Sequence, residues 1–260
     1  MEKIEKYRAP ALEKGLDIME LLSKHEEGLS QGEIAKALSR SSNEIYRMLT
    51  TLVRRRYISK SSEDDRFMLS LQLFSLSHRY PPVSRLINFS LPLMKKLTKD
   101  VWQSCHIAME NNGDIVVVSS VDSPGYWALG LRVGSVMGLY NTSSGRVLAA
   151  FGNHEKREEI IARHKIVIGE PKGDLTKFYL ELDQIRKKGF DIRPSNTVIG
   201  VTNMSFPIFD QHGLAVAAVT CPYIERIDKL DIPSIEQCKK MFSELASKLT
   251  LYYGGDPKLD

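Results

Sequence analysis

The chain has 260 residues, with 36 lysines and arginines against 32 aspartates and glutamates, and a formal net charge of +4. Hydrophobic residues make up 42% and charged residues 26% of the sequence, which is close to the globular average and excludes collagen-like or largely disordered chains. The longest apolar runs, residues 115–118 and 214–219, are far shorter than the about 18 residues that a membrane span needs. The length predicts about two domains with buried cores.

The first residues of the chain and the cysteines predict the cellular compartment of the protein. Residues 1–30 alternate charged and apolar positions at helical spacing and show no secretory leader. The cysteines are odd in number and far apart, which predicts reduced thiols, no metal site and no cofactor. We therefore expect a cytoplasmic protein that makes no contact with a membrane.

Apolar periodicity predicts a small helical domain at the start of the chain. Its predicted elements are helices at 10–25, 30–39 and 43–56 and strands at 57–60 and 66–69. Gly28 ends the first helix, and Ser30 followed by Glu33 is a capping-box pattern that opens the second. Three helices followed by a hairpin predict a winged helix-turn-helix over residues 1–70.

The remainder predicts a linker helix and an α+β domain. Residues 71–82 form the linker, broken by Tyr80-Pro81-Pro82, and a helix through Leu86 and Leu97 follows, in which Pro92 is expected to cause a kink or a break. The further predicted strands are 104–110, 115–121, 127–132, 199–208 and 214–221, and the further helices are 145–151, 155–164, 177–188 and 232–253. Two hairpin turns between these strands predict an antiparallel sheet with helical layers in residues 83–260.

The third predicted helix has the composition of a helix that reads DNA. Small polar residues at its start can reach base edges, and cations can pair with phosphates. The candidate DNA-binding residues are Arg40, Ser41, Ser42, Asn43, Tyr46, Arg47, Arg54, Arg55 and Arg56, with Lys60 and Arg66 on the wing. An alternative for Arg54, Arg55 and Arg56 is a solvated helix end favoured by the helix dipole. Glu44 either points away from DNA or accepts a hydrogen bond from cytosine.

A second candidate site lies where a polar loop becomes a helix. Ser143, Ser144 and Gly145 place free backbone N–H groups and the positive end of the helix dipole at one point. This arrangement favours an anion, and the alternative is an ordinary helix cap in which Ser or Thr satisfies its own helix.

Two further groups of residues leave alternatives open. His106 follows Cys105 in a predicted strand and suggests a nucleophile pair, but no third group completes a triad, so a hydrogen-bonded core residue is the alternative. Tyr126 and Trp127 fit either the apolar wall of a pocket or a cover over the core.

Motifs in both halves resemble those of IclR-type transcriptional regulators. The N-terminal motifs are the run 11–19, the pair Leu29-Ser30 with 33–35, and 46–52 followed by Tyr57-Ile58. The C-terminal motifs are Gly134-Ser135 with 141–149, Gly200-Val201 with 205–210, and the run 213–220. The resemblance covers residues 9–252, with the motifs in the same order as in the family.

The resemblance implies a C-terminal effector-binding domain of GAF-like fold. It implies a homodimer or a dimer of dimers that binds palindromic double-stranded operator DNA and responds to a small organic acid. The pocket implied by the family includes Arg193, Asn203 and Thr220 beside the loop, and Pro222 as a further candidate. Family members often have an acid near the position of Arg193 and a cysteine at that of Asn203, and usually a glycine and an apolar residue where this chain has Ser39 and Arg40.

Two functions remain open from the sequence. The first is a ligand-responsive transcriptional regulator, a repressor or an activator, controlling genes for metabolism of a small, carboxylate-bearing compound and having no enzymatic activity. Arg193 beside a helix N-terminus would favour a bidentate carboxylate, and its alternative is a surface residue next to Pro194. The second is a small-molecule-processing enzyme with an accessory winged helix, for which no catalytic constellation is visible.

Overall fold

The structure is a computed structural model that describes residues 8–228 and 231–257. Residues 1–7 and 258–260, which are the outer ends of the two predicted domains, lie outside the described residues. Contacts divide the chain into an N-terminal unit ending at Ser84 and a C-terminal unit beginning at Arg85. Within the described part, no helix combines the length and the apolar character that crossing a membrane requires.

The N-terminal unit contains three helices, a two-stranded sheet and then a fourth helix. The elements are α1 (Pro10–Leu22), α2 (Gln31–Ala37), α3 (Ser42–Arg54), β1 (Ile58–Lys60), β2 (Phe67–Leu69) and α4 (Gln72–Arg79). β1 and β2 pair antiparallel, with Ser59 opposite Met68, and the Leu29–Phe67 bridge ties the wing to the segment before α2. This order of elements is that of a winged helix-turn-helix, as the sequence predicts.

One apolar stripe of each helix forms the core of this unit. Ile18 of α1, Ile34 of α2 and Ile45 of α3 are each fully buried. Leu49 and Leu52 continue the α3 stripe at helical spacing, so the residues between them face outward. Packing of this stripe fixes which side of α3 is available for binding.

Helix α5 (Pro81–Val101) runs through Pro92 without a break. A proline inside a helix removes one backbone hydrogen bond and crowds the preceding turn. Pro92 itself is exposed, while Ser90 and Met94 on either side of it are fully buried. Packing of the buried neighbours therefore maintains the helix. Of the two effects expected at Pro92, the break is wrong, and the kink stays a prediction.

The C-terminal unit is built on a six-stranded sheet with the order β5-β4-β3-β8-β7-β6. Its strands are β3 (Cys105–Asn111), β4 (Asp114–Val121), β5 (Val136–Met137), β6 (Asp191–Pro194), β7 (Val201–Phe209) and β8 (Ala215–Ile224). Every neighbouring pair is antiparallel. Turns at residues 112–113 and 211–214 close the β3–β4 and β7–β8 hairpins. The α+β class predicted from the sequence is confirmed.

Helices cover both faces of this sheet. The helices after α5 are α6 (Ser143–Ala150), α7 (His154–Arg163), α8 (Leu175–Lys188) and α9 (Ile235–Tyr252). One core contains Met94 of α5, Phe242 of α9 and Val219 of β8. The other contains Leu148 of α6, Leu182 of α8 and Ala218 of β8. Neighbouring residues of β8 thus serve opposite cores, as the period of two in a strand requires.

The strand predicted at residues 127–132 is absent, and this prediction is wrong. The segment is irregular, and the ring of Trp127 instead lies 4.6 Å from the guanidinium of Arg226. A Cβ at Gly130 would lie 2.0 Å from Asp122 Oδ1, so a side chain at that point would require the Asp122 carboxylate to move. The short β5 pairs with β4 in its place, and β6 is a strand that the sequence did not predict.

Candidate functional site

The first candidate site is the outward face of α3. Ser41 is its N-cap and accepts a hydrogen bond from the Glu44 backbone N–H, while the Glu44 carboxylate accepts one from the Ser41 backbone N–H. This capping box satisfies two otherwise unpaired donors and fixes where the helix begins. Ser42, Asn43, Tyr46 and Arg47 then lie exposed along the first turns.

Glu44 is partly exposed and reaches toward α1. Its carboxylate forms an ion pair with Lys14, with Nζ and Oε1 separated by 2.5 Å. The hydrogen bonds from Lys14 and Ser41 lower the pKa of Glu44 to about 2. Glu44 is therefore ionised at neutral pH and neutralised within its own unit, which leaves the arginines as the net charge of this surface.

Of the remaining predicted DNA-binding residues, some are exposed, and others already form ion pairs or hydrogen bonds within the unit. Arg40, Arg54, Arg55 and Arg56 are exposed. Lys60 is exposed and pairs with Asp65 at 2.6 Å. Arg66 is half-buried, donates to the carbonyls of Glu27 and Gly28, and pairs with Glu33. Arg66 thus holds the wing against the segment before α2, so its guanidinium is not free to reach a phosphate.

A groove of about 620 Å³ lies between the start of α2, α3 and the wing. Tyr46, Thr50 and Arg54 line it from α3, and Lys60 lines it from β1. The structure therefore brings predicted residues from the helix and the wing to one concave surface.

The second candidate site is a cavity of about 290 Å³ in the C-terminal unit. Of the six residues predicted to bind an effector, Ser143, Ser144, Asn203 and Thr220 line it, and so does Pro222. Ser143 and Ser144 are each 1% exposed at the start of α6. Residues 129–131, 136–138, 167–168 and 197–198 contribute most of the apolar wall.

Gly145 and Arg193 are placed outside this cavity. A Cβ at Gly145 would lie 2.6 Å from the carbonyl oxygen of Leu139, so the glycine permits α6 to pack against the loop before it. Arg193 lies on β6 and pairs with Asp191 at 2.7 Å and with Glu181 at 2.8 Å. The guanidinium of Arg193 is therefore held by two carboxylates and does not face the cavity.

A chain of buried hydrogen bonds lies beneath the start of α6. His106 Nε2 is 3.2 Å from Ser144 Oγ, which is 2.9 Å from Thr220 Oγ1. Thr220 in turn donates to Ser205 Oγ at 2.7 Å. Burial lowers the pKa of His106 to about 4, so the imidazole is neutral at neutral pH. His106 is thus a buried hydrogen-bonded residue, and it also lines the cavity.

Arg146 supports the same site and was not predicted from the sequence. Its guanidinium is 1% exposed and donates to Asp191 Oδ2, to the Tyr140 carbonyl and to Ser143 Oγ, at 3.0, 2.8 and 3.3 Å. Burial lowers the pKa of Arg146, while the charge of Asp191 raises it. The only sequence signal for this role was a charged residue in a helix that is otherwise apolar.

Glu170 holds the loops on the other side of the cavity. It accepts from the backbone N–H of Tyr140 and of Val167 and lies 2.8 Å from His164 Nε2. His164 Nδ1 lies 2.8 Å from the Gly113 carbonyl. This cluster joins the loop that precedes α6 to the loop that follows α7.

Other predicted features fall outside both sites. Trp127 does not line the cavity and stacks on Arg226, whereas Tyr126 is 88% exposed. The three cysteines are buried and form no disulfide, and burial raises the pKa of Cys105 to about 12. Residues 8–228 and 231–257 contain no group of three His, Cys, Asp or Glu side chains suited to a metal ion.

Curated transcriptional regulators are similar to this chain in sequence. The HTH-type transcriptional regulator KdgR of Dickeya chrysanthemi is 23% identical over 193 residues, which are 74% of this chain and 63% of that protein. The matched region therefore spans less than two thirds of that regulator. The glycerol operon regulatory protein of Streptomyces griseus is 24% identical over 228 residues, which are 87% of this chain and 89% of that protein.

A solved structure shares the fold. An IclR homolog from Microbacterium hydrocarbonoxydans, complexed with 4-hydroxybenzoate, aligns with a TM-score of 0.75 and 18% identity over 93% of this chain and 98% of its own.

Two family profiles match the chain. The profile described as the IclR helix-turn-helix domain matches residues 11–62, and the one described as bacterial transcriptional regulator IclR C-terminal matches residues 79–249. Both profiles describe regulators, so the enzyme interpretation has no support. The chain belongs to the IclR family of bacterial transcriptional regulators.

Proposed function

We propose that the protein is a ligand-responsive regulator that binds operator DNA and controls genes for metabolism of a small carboxylate-bearing compound. The exposed polar and cationic face of α3 is the observation that carries this proposal. Asn43, Tyr46 and Arg47 are exposed on it, and Ile45 and Leu49 anchor its opposite face in the core. A helix held in this way presents its first turns to the major groove.

The two ends of α3 have different roles in the proposed complex. Ser42, Asn43, Tyr46 and Arg47 contact base edges or nearby phosphates, and Arg54, Arg55 and Arg56 contact the flanking phosphates. Each phosphate contact releases about one counterion and adds to the salt dependence of binding. Lys60 joins them once DNA phosphate replaces Asp65 as its partner.

The cavity beside α6 is the proposed effector site. Its apolar walls and a few polar groups are typical of small-molecule pockets. The positive end of α6 favours a carboxylate there. The structural neighbour complexed with 4-hydroxybenzoate is consistent with an organic acid as effector.

The active species is proposed to be a homodimer or a dimer of dimers on a palindromic operator. Two-fold symmetry of the DNA requires two copies of the reading helix. Helix α4 buries none of its residues, and it leaves Phe74 60% and Leu76 40% exposed. An apolar helix surface of this kind is suited to pairing with a second copy.

Replacing Arg47 by alanine tests the DNA contact. Duplexes are selected from a random library by the full-length protein, and binding is followed by fluorescence anisotropy over a range of salt concentrations. We expect a loss of about 1–3 kcal/mol if Arg47 contacts a base, or a salt slope reduced by about one if it contacts a phosphate.

Lys24→Ala is the matched control, because Lys24 is an exposed cation of the same unit outside α3. It should leave both affinity and salt slope unchanged. If Arg47→Ala behaved like this control, α3 would not be the reading helix and the proposal would fail.

A further inference from the structure

The side chains that line the effector cavity carry no formal charge within the described part of the chain. Ligand selection therefore depends on which hydroxyl, imidazole, amide and backbone groups still have a hydrogen atom or a lone pair without a partner. The side-chain amide of Asn203 is one such group, since it makes no hydrogen bond to another described residue. Each serine or threonine hydroxyl has one hydrogen to donate, so counting the bonds already made identifies what remains.

The buried chain beneath α6 fixes the position of the His106 proton. Thr220 donates its only hydrogen to Ser205, so Ser144 must be the donor in the Ser144–Thr220 bond. Ser144 has then used its own hydrogen and must accept from His106 Nε2. His106 is consequently in the Nε2–H form, and its Nδ1 has a free lone pair.

The environment of His106 keeps that lone pair available. The side chain is 4% exposed and lines the cavity, and burial keeps the ring neutral at neutral pH. Among the described residues, none hydrogen-bonds to His106 Nδ1. The cavity therefore contains an imidazole nitrogen that accepts a hydrogen bond from a bound molecule.

Ser143 provides a hydrogen-bond donor, whereas His106 provides an acceptor. Its Oγ accepts from Arg146 Nη2, and its hydroxyl hydrogen has no acceptor in the described structure. The neighbouring Thr142 hydroxyl is already used, because it donates to the Gly138 carbonyl and accepts from the Gly145 N–H. Ser143 is therefore one hydroxyl donor that lines the cavity. Ser195 and Thr197 also line it, and because they share a single hydroxyl hydrogen bond, one further hydroxyl hydrogen is unused there.

Backbone donors add to Ser143 at this point. The N–H groups of Ser143 and Ser144 belong to the first turn of α6 and make no hydrogen bond to another described residue. The guanidinium of Arg146 lies directly behind the Ser143 hydroxyl and adds positive charge. Three donors and a buried cation at a helix N-terminus suit a carboxylate.

We propose that the effector is a hydroxy acid, whose carboxylate accepts from Ser143 and the first N–H groups of α6 and whose hydroxyl donates to His106 Nδ1. This inference rests on the proposed function, since it names the chemistry of the same effector site. Arg146 acts as a positioning residue, because it directs the Ser143 hydrogen into the cavity while Asp191 holds the guanidinium in place.

The first test needs no ligand. Nitrogen-15 spectra of the histidine rings in the full-length protein distinguish the Nε2–H form from the Nδ1–H form, and His106→Gln assigns the resonance. A neutral Nε2–H ring is expected for His106. A neutral Nδ1–H ring or a charged ring at neutral pH would overturn the proposal.

The second test compares matched small molecules by calorimetry. The hydroxy acids are lactate, 3-hydroxybutyrate and 4-hydroxybenzoate, each measured beside the acid lacking the hydroxyl and beside the corresponding hydroxy amide. At least one hydroxy acid should bind about tenfold or more tightly than both of its partners. The amide loses the charge-assisted hydrogen bonds of the carboxylate, and the acid without a hydroxyl leaves the buried His106 Nδ1 unpaired.

Variants then separate the two contacts. Ser143→Ala should remove most of the preference for acid over amide, and His106→Leu should remove most of the preference for the hydroxyl. Arg146→Lys should retain part of the acid preference, since it keeps the positive charge. Ser243→Ala, an exposed serine of α9 outside the cavity, is the control and should change neither ratio.

Operator binding by the same preparations distinguishes failure of this inference from failure of the proposed function. Two results with the native protein would overturn the proposal that the effector is a hydroxy acid. The first is that the protein prefers neither the hydroxyl nor the carboxylate, and the second is that no hydroxy acid binds at about 10 mM. If operator binding persisted in either case, the regulator function would stand. Unchanged ratios in folded Ser143→Ala and His106→Leu would overturn the hydroxy-acid proposal as well. Absence of operator binding would contradict the regulator itself.

Discussion

At the scale of single residues, Glu44 shows how an acid is accommodated among cations. Residues 40–56 contain five arginines and one acidic side chain, Glu44. Its carboxylate caps α3 through Ser41 and reaches Lys14 of α1, so it supports the reading helix from behind. The proposed base contacts therefore depend on an acidic residue that is paired within its own unit.

Replacing Glu44 by glutamine should make the stability of the protein less dependent on pH. The folded pKa of about 2 lies below the ordinary value of 4.5, so ionised Glu44 stabilises the fold above about pH 4.5. This contribution is lost as the pH falls from about 4.5 to about 2. In urea unfolding between pH 7 and pH 2, the native protein should have a higher free energy of unfolding than Glu44→Gln at neutral pH. This difference should disappear as the pH falls through that window.

Glu63→Gln provides the comparison for this measurement. Glu63 is an exposed acid in the turn of the wing, and its side chain forms no ion pair within residues 8–228 and 231–257. Its difference from the native protein should remain small at every pH. A constant difference between the native protein and Glu44→Gln across the same range would contradict the role assigned to the Lys14 pair.

Residue by residue, the sequence predicted those residues of the proposed effector cavity that belong to short local patterns. Ser143 and Ser144 were found because a polar loop leading into a helix leaves N–H groups free. Arg146 and His106 were not assigned to the cavity, because their roles depend on Asp191 and Ser144, which lie 45 and 38 positions away in the chain. Such contacts exist only after the sheet has formed.

At the scale of elements, α5 shows packing overcoming a local preference. Pro92 lacks the N–H that would bond to the Asn88 carbonyl, yet the helix continues because buried side chains on either side of it remain packed. The helix thus retains a local weakness at an exposed position.

Replacing Pro92 by alanine should raise the free energy of unfolding by about 1–3 kcal/mol, since alanine restores the missing hydrogen bond. Urea unfolding of the full-length protein measures this change. Lys95→Ala, at an exposed position of the same helix, should have an effect below about 0.5 kcal/mol. Destabilisation by Pro92→Ala would indicate that α5 requires the proline.

Elements with a strong apolar period were predictable, and short irregular ones were not. Helix α3 has one continuous apolar stripe, and its bounds are close to those predicted. The strand β6 contains Asp191 and Pro194, which are uncommon in strands, and it is held by pairing with β7. The segment 127–132 has strand-forming residues, but it is irregular, and Trp127 stacks on Arg226.

At the scale of the whole molecule, the proposed regulator has two sites that belong to separate units of the chain. Effector binding can alter operator binding only if the acid binds the DNA-competent and DNA-incompetent states with different affinities. Any such coupling must act equally in both directions. This reciprocity gives a test that needs no knowledge of how the units are arranged.

The tightest-binding acid of the panel, at saturation, should change operator affinity by about 5–150-fold. Operator DNA should change the affinity for the acid by the same factor, measured by calorimetry on the full-length protein. Ser143→Ala should retain operator binding and lose the response to the acid. An operator affinity that stays constant at saturating acid would rule out allosteric control by this site.

The two edges of the six-stranded sheet limit how copies of the chain can associate. One edge strand, β5, has two residues, and the other, β6, has four and ends in Pro194, which has no N–H to donate. An incoming strand would therefore gain few main-chain hydrogen bonds at either side. We expect the sheet to resist edge-to-edge aggregation, so that copies associate through side-chain surfaces of the helices and remain discrete assemblies.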